Sequence, residues 1–368
     1  MGKRLDDGDV TVLHLIWGLG LGGAERVLCH LVEGGRGSHK HAVVSVREGG
    51  HHASRIRELG ASLFELGSGG WSDLPWVVTQ VRRIIDDVKP DVVHCWMYHA
   101  CVIGAIAVPK GTPQVWAFHN TPLLPLKAVP RLEVGMLRRL QSRAYCTVVV
   151  SDASRNAHAA MGFDESRLVV IPNGVPSRTL EVGARRPSLL HTFVSVGRFH
   201  PVKNHIGLVQ AFALARNRLE GCRLYMVGPG LDPCNTELVS WLKSWGVQDA
   251  VYLLGQTRNP SQWLSAAHTF VSTSVSESLP MSLLEAISCG CVPVVTDVGD
   301  CAAVVRDERL VSKSLAPEEI AGRMVTAARL STIERAKIVE SLRERVKAEY
   351  SLVSMIEAYS RVYGLRNI

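Results

Sequence analysis

The residues best suited to chemistry are two glutamates, Glu277 and Glu285, in the run Ser274-Val-Ser-Glu-Ser-Leu-Pro-Met-Ser-Leu-Leu-Glu-Ala286. Pro280 fits the first turn of a helix, Ser276 and Ser278 offer caps before it, and Leu283, Leu284 and Ile287 supply an apolar face. Glu277 is therefore expected in a loop and Glu285 inside the helix. Between them lie unpaired backbone N–H groups and the positive end of a helix dipole, a place for an anion. Amides there hold phosphate while the carboxylates accept from hydroxyls, so the pair suits a nucleotide-sugar. A second group, Val196-Gly-Arg-Phe-His-Pro-Val-Lys-Asn-His205, sets Arg198 and Lys203 just after an apolar strand. A guanidinium fork and an ammonium together meet two phosphates.

These side chains need a scaffold, and the apolar runs describe one. Strands are expected at 10–17, 41–46, 92–96, 115–119, 147–151 and 168–171, with helices at 25–33 and 77–88. A second series of strands is expected at 192–196, 224–227, 251–253, 269–272, 292–296 and 309–311. Near-continuous apolar strands alternating with helices indicate parallel sheets covered on both faces. The stretch 172–188, rich in Pro, Gly and Arg, is expected to link two Rossmann-like halves, divided at 1–180 and 181–351.

The first loop, Gly18-Leu-Gly-Leu-Gly-Gly-Ala-Glu25, follows a strand and opens a helix, so backbone amides approach an anion closely. Gly18, Gly20 and Gly23 also fit a dinucleotide fingerprint, which keeps a nicotinamide-dependent oxidoreductase as an alternative. Against it, the second strand ends at Arg47-Glu48 without a clean acidic partner for a ribose. His119 closes the strand Val115-Trp-Ala-Phe-His and is followed by Asn120, while His94 and His99 occupy a neighbouring edge. Strand carboxyl ends in open α/β sheets are where ligands bind.

Composition bounds the partners. The chain has 368 residues, 46% hydrophobic and 20% charged, enough for two domains with separate cores. A net charge of +7 suits acidic partners such as nucleotide phosphates or anionic lipid, and no nucleic-acid-binding signature is present. Nine cysteines lack metal-ligand spacing, so reduced thiols and no metal are expected. No apolar run is long enough to cross a membrane, the amino terminus lacks a signal-peptide pattern, and Asp6 breaks the myristoylation pattern of Met1-Gly2, so a cytoplasmic protein is expected. The segment 126–143 carries Lys127, Arg131, Arg138, Arg139 and Arg143 against Glu133, interleaved with apolar residues. It is expected either to lie on an anionic membrane or to be a solvated helix with its apolar side in the core.

The glutamate pair, the following Gly-Cys-Val-Pro-Val-Val-Thr strand, the Gly22-Gly-Ala-Glu25 loop and the Gly197-Arg…Lys-Asn204 signature together resemble retaining glycosyltransferases of the GT-B fold, family 4. The resemblance runs from Val10 to about Arg361 and implies an α/β architecture of two Rossmann-like doubly wound domains facing across a cleft. It implies that the donor lies mainly in the second domain, with 352–368 crossing back onto the first.

The same resemblance supplies roles. Glu285 is expected to accept from ribose hydroxyls and Glu277 from the transferred hexose. Arg198 and Lys203 hold the diphosphate, helped by amides around Leu279, Pro280, Met281 and Ser282, and by Gly22 and Gly23 from the first domain. His119 contacts the transferred sugar, and His99 and Asn120 are acceptor-side candidates. Asn173-Gly174 matches the entry to the linker. No metal or other cofactor is required, because cations and a helix dipole serve the leaving group. The implied substrates are a nucleotide-diphosphate sugar, UDP favoured over GDP, and a saccharide or lipid-linked saccharide, at the inner face of the plasma membrane. Ser278-Leu279 departs from the usual Gly-Phe, and Asp300-Cys-Ala-Ala-Val304 from the usual Gly-x-x-Glu-Ile. A nucleotide-sugar epimerase of the same fold, a phosphorylase and a noncatalytic nucleotide-sugar sensor remain alternatives.

Overall fold

The protein was analysed as a computed structural model, which describes residues 10–122, 128–176, 191–257 and 259–364. The amino-terminal pattern, Lys127, and positions 177–188 of the expected linker lie outside the described residues. The chain divides into two compact units: Met1–Gly174 with Leu352–Ile368, and Val175–Ser351.

In the first unit the strands are β1 (Val10–Ile16), β2 (His39–Ser45), β3 (Ser62–Glu65), β4 (Val92–Trp96), β5 (Gln114–Phe118), β6 (Cys146–Val149) and β7 (Leu168–Val170). Its helices are α1 (Gly23–Gly34), α2 (Ala53–Glu58), α3 (Leu74–Val88), α4 (Met97–Ala107), α5 (Ala128–Leu140) and α6 (Asp152–Ala160), with α14 (Leu352–Tyr363) contributed by the end of the chain. Among the described residues the sheet order is β3-β2-β1-β4-β5-β6-β7, all parallel. One core lies under α3, α4 and α5, and another gathers Val27 and Leu28 of α1 with Met355, Tyr359, Val362 and Tyr363 of α14. The segment 172–176 is no free linker: Asn173 and Val175 are buried, and Val175 pairs with Ser351 because the chain runs beside its own return.

The second unit holds β8 (Thr192–Val196), β9 (Arg223–Val227), β10 (Val251–Gly255), β11 (Thr269–Ser272), β12 (Val292–Thr296) and β13 (Val311–Ser312). The helices are α7 (His205–Arg216), α8 (Thr236–Ser244), α9 (Ser261–Ala266), α10 (Met281–Ser288), α11 (Cys301–Val305), α12 (Pro317–Arg329) and α13 (Thr332–Glu349). Among the described residues the order is β10-β9-β8-β11-β12-β13, again parallel. The strand expected at 309–311 is displaced: Asp307 accepts from the Arg309 amide and turns Glu308–Leu310 into a 3-10 helix, so β13 starts at Val311. No helix among the described residues is long and apolar enough to cross a membrane.

Candidate active site

In the second unit the strand order reverses between β8 and β11, the point at which an open α/β sheet leaves a crevice at its carboxyl ends. The loop after β8 carries Arg198 and Lys203, and the loop after β11 carries Glu277. The structure brings two of these together: Lys203 Nζ donates to Glu277 Oε1 at 2.5 Å, and Ser274 Oγ donates to the same oxygen at 2.7 Å. Both side chains are mostly buried, where such a contact is screened less than on the surface. The carboxylate expected to face a hexose and the ammonium expected to face a diphosphate thus form one ion pair.

The loops are pinned by the main chain. The Val275 amide donates to the Val202 carbonyl at 2.8 Å, and Thr273 Oγ1 donates to the Lys203 and Asn204 carbonyls at 3.1 and 3.0 Å. Asn204 adopts φ 50°, a left-handed conformation that Asn tolerates, and its side chain caps α7 by accepting from Gly207 N. The Arg198 carbonyl is held at 3.1 Å by His205 Nε2, whose ring stacks on Phe199. The Arg198 guanidinium is exposed and has no partner among the described residues.

Ahead of α10 the expected serine caps do not form. The N-cap is Pro280, without a side-chain cap hydrogen bond, because its extended backbone (ψ 121°) ends the loop directly at the helix. The side chains of Leu279, Pro280 and Met281 are buried, so any part they take in donor binding runs through the backbone. The Met281 and Ser282 amides have no acceptor among the described residues, whereas the Leu283 amide returns to the Pro280 carbonyl at 3.1 Å. Glu285 lies in the second turn, half-buried. Two features escaped sequence reasoning. Gly299 has φ 56°, and a Cβ there would run into the Glu277 and Ser278 carbonyls. Gly228 similarly backs onto the Gly197 carbonyl. Only the close approach of two loops distant in sequence reveals either.

In the first unit Gly22 is the N-cap of α1, and the Glu25 carboxylate folds back against it, into the space a Cβ would fill. The turn expected to receive phosphate from Gly22 and Gly23 thus holds an acidic side chain of its own. His119 follows β5, stacks on Trp96 at 5.2 Å between ring centroids, and neither ring nitrogen forms a well-aligned hydrogen bond among the described residues. Burial lowers its pKa to about 4, opposed weakly by the Asn173 side chain, which keeps the imidazole neutral. Its amide meets Met97 Sδ at 3.3 Å, and Met97 sits at φ 65°, a strained conformation at the end of β4. Asn120 Oδ1 is buried and forms no well-aligned hydrogen bond among the described residues, though its side chain lies near the Tyr98 hydroxyl, while its carbonyl accepts from Ser154 Oγ at 2.9 Å. His94 is a core residue: fully buried, it shares a 2.8 Å hydrogen bond with Tyr363. His99 contacts Glu133 Oε1 through Nδ1 at 2.6 Å. Asn173 is buried, and the Gly174 amide meets Met355 Sδ.

Comparison with known proteins gives this arrangement a family. The model of Glycosyltransferase Family 4 matches residues 21–178, and that of Glycosyl transferases group 1 matches residues 191–329. EpsF of Bacillus subtilis is 27% identical over 308 residues, spanning 78% of this chain and 79% of that protein. A GDP-mannose:cellobiosyl-diphosphopolyprenol alpha-mannosyltransferase of Komagataeibacter xylinus is 23% identical over 67% of this chain and 66% of its own length. Among solved structures, Anabaena HepE in complex with UDP-glucose superposes with a TM-score of 0.83 at 19% identity, covering 96% of this chain and 98% of that one. The chain belongs to family 4 of the glycosyltransferases and has the GT-B fold.

Proposed function

We propose that this glycosyltransferase moves a hexose or N-acetylhexosamine, with retention at the anomeric carbon, from a UDP-sugar to a saccharide or lipid-linked saccharide acceptor in polysaccharide or glycolipid biosynthesis. The observation that carries the reading is the Lys203–Glu277 pair at the sheet reversal, with Arg198 carried on the same loop after β8 as Lys203. As the glycosidic bond breaks, charge develops on the leaving diphosphate, and fixed cations stabilise that charge more than the ground state. Arg198, exposed and unpartnered among the described residues, and the Met281 and Ser282 amides add donors for the same group. Glu277, held by Lys203 and Ser274, keeps lone pairs for a sugar hydroxyl, and Glu285 serves the ribose. In the first unit His119, neutral and without a well-aligned partner among the described residues, keeps a ring nitrogen available to a sugar hydroxyl. The leaving phosphate itself takes the acceptor's proton, so no protein nucleophile and no metal are needed.

The UDP preference draws support from the HepE complex, and the mannosyltransferase relative makes a GDP-sugar the competing donor. Contact with anionic lipid draws support from α5, where Leu132 and Val129 are 70% and 50% exposed beside Arg131, Arg138 and Arg139. The deciding experiment is calorimetry of the full chain with UDP, GDP and NAD. Binding of UDP is expected, with GDP at least tenfold weaker. Binding of NAD alone defeats the proposal. With a donor in hand, the anomeric configuration of the product by NMR tests retention, and activity unchanged by EDTA is expected for a metal-free reaction.

A further inference from the structure

In the first unit the strand order reverses between β1 and β4, and the His99–Glu133 pair stands at that reversal with two tryptophans not used above. Trp17 directly follows β1, and His99 opens α4 just beyond β4. Trp17 stacks on Trp71 at 5.7 Å, and the His99 ring meets both indoles edge-on, at 4.9 and 5.6 Å between centroids. All three rings are part-exposed. Below them Glu133 of α5 is buried to 4% exposure, and neither of its oxygens has a partner among the described residues except His99. A buried carboxylate left with one contact is costly and calls for an explanation.

We infer that Trp17, Trp71, His99 and Glu133 form a carbohydrate-acceptor subsite, in which Glu133 orients His99 so that its Nε2 accepts a hydrogen bond from a saccharide hydroxyl. In the neutral imidazole a lone pair on Nδ1 would be repelled by a carboxylate 2.6 Å away, so the neutral ring carries its proton on Nδ1. Nε2 then carries the lone pair, and it makes no hydrogen bond among the described residues. Trp17 already carries the Arg47 guanidinium 5.8 Å from its ring centroid, and the part-exposed remainder of the stacked indoles gives a pyranose a rigid apolar surface for its C–H groups. Glu133 is a positioning residue and does not touch the sugar. The inference rests on the glycosyltransferase reading for the identity of the ligand as an acceptor, and it does not depend on which nucleotide the donor carries.

The test titrates octyl glycosides of glucose, galactose and N-acetylglucosamine into the full chain without nucleotide, reading tryptophan fluorescence. UDP and GDP binding to the same preparations is measured by calorimetry. Wild type is expected to show saturable quenching by at least one glycoside. His99→Ala is expected to weaken that binding at least tenfold, with nucleotide affinity unchanged. His99→Gln, a milder change at a part-exposed position, serves where the alanine variant does not fold. Glu133→Gln is expected to weaken glycoside binding and to shift the His99 ¹⁵N signals away from the Nδ1–H tautomer. Absence of quenching in wild type overturns the subsite. So does unchanged glycoside affinity in the variants with only a lowered melting temperature, the mark of a purely structural pair. Loss of nucleotide binding in wild type instead defeats the donor assignment, and glycoside titration still judges the subsite.

Discussion

Lys203 and Glu277 lie 74 residues apart in sequence and share a 2.5 Å contact, so neither acts alone. On the proposed mechanism, removing the ammonium strips the leaving diphosphate of a cation, and among the described residues it leaves the carboxylate with Ser274. Lys203→Ala is therefore expected to lower kcat/KM at least tenfold, about 1.4 kcal/mol or more in transition-state stabilisation. Glu277→Gln should do comparable damage, and the double variant should fall short of the sum, since residues in contact couple. Steady-state kinetics on the three variants checks this; strict additivity would mean the pair does not work as a unit. Arg198, exposed and without a partner among the described residues, is the complementary case: Arg198→Ala should cut turnover similarly while leaving the melting temperature unchanged. The residue types at this site were legible from charge and spacing. Their pairing was not, because it depends on two loops from different strand ends meeting.

The elements differ in how much their sequences reveal. Helix α4 is buried on nearly every side, from Ala100 to Gly104 and again at Ala105 and Ala107, so it has no 3.6-residue stripe by which to find it. Strand β3 is short and half-exposed, and its pattern is no stronger than that of a loop. The α10 loop depends on Gly299, whose positive φ and crowding by the Glu277 carbonyl admit no side chain. Gly299→Ala should destabilise the second unit by roughly 1–3 kcal/mol and displace Glu277, lowering turnover beyond the loss of stability; denaturant melts beside kinetics separate the two. Helix α14 docks through an apolar core and two polar contacts, a part-buried one from His39 Nε2 to Ser360 Oγ at 3.0 Å and a buried one between His94 Nδ1 and Tyr363 at 2.8 Å. Tyr363→Phe should cost about 1–3 kcal/mol by leaving His94 unsatisfied, seen as a lower denaturation midpoint.

Across the whole molecule, buried histidines concentrate in the first unit. Burial holds His14 and His94 well below their ordinary value, and brings His30, His41 and His158 to about 4, as it does His119. Around His14 the rings of His41, His94 and His39 add mutual repulsion, since each disfavours a second charge nearby. The unfolded chain binds protons at these groups near pH 6.5 while the folded chain does not. Their contribution to stability is therefore complete above about 6.5 and is lost as pH falls toward 4. In the second unit, His205 is also lowered by burial, and His191, more exposed, is lowered too. Hydrogen exchange should show peptides of the first unit, α14 included, losing protection at pH 5 before those of the second; simultaneous loss would contradict it.

What the sequence determined by itself was class and inventory. Apolar runs alternating with helical segments specify two parallel α/β units, and the glutamate, arginine, lysine and glycine motifs carry the resemblance to the family, because both are written in short stretches of neighbouring residues. The tertiary structure decided which of those residues meet. It joined Lys203 to Glu277, set Gly299 against the Glu277 loop, moved His94 from an expected edge into the core, and turned Glu133 from one acidic residue in a basic helix into the buried partner of His99. Strand order determines these encounters, and it is set by how sheets bury their faces rather than by any local pattern.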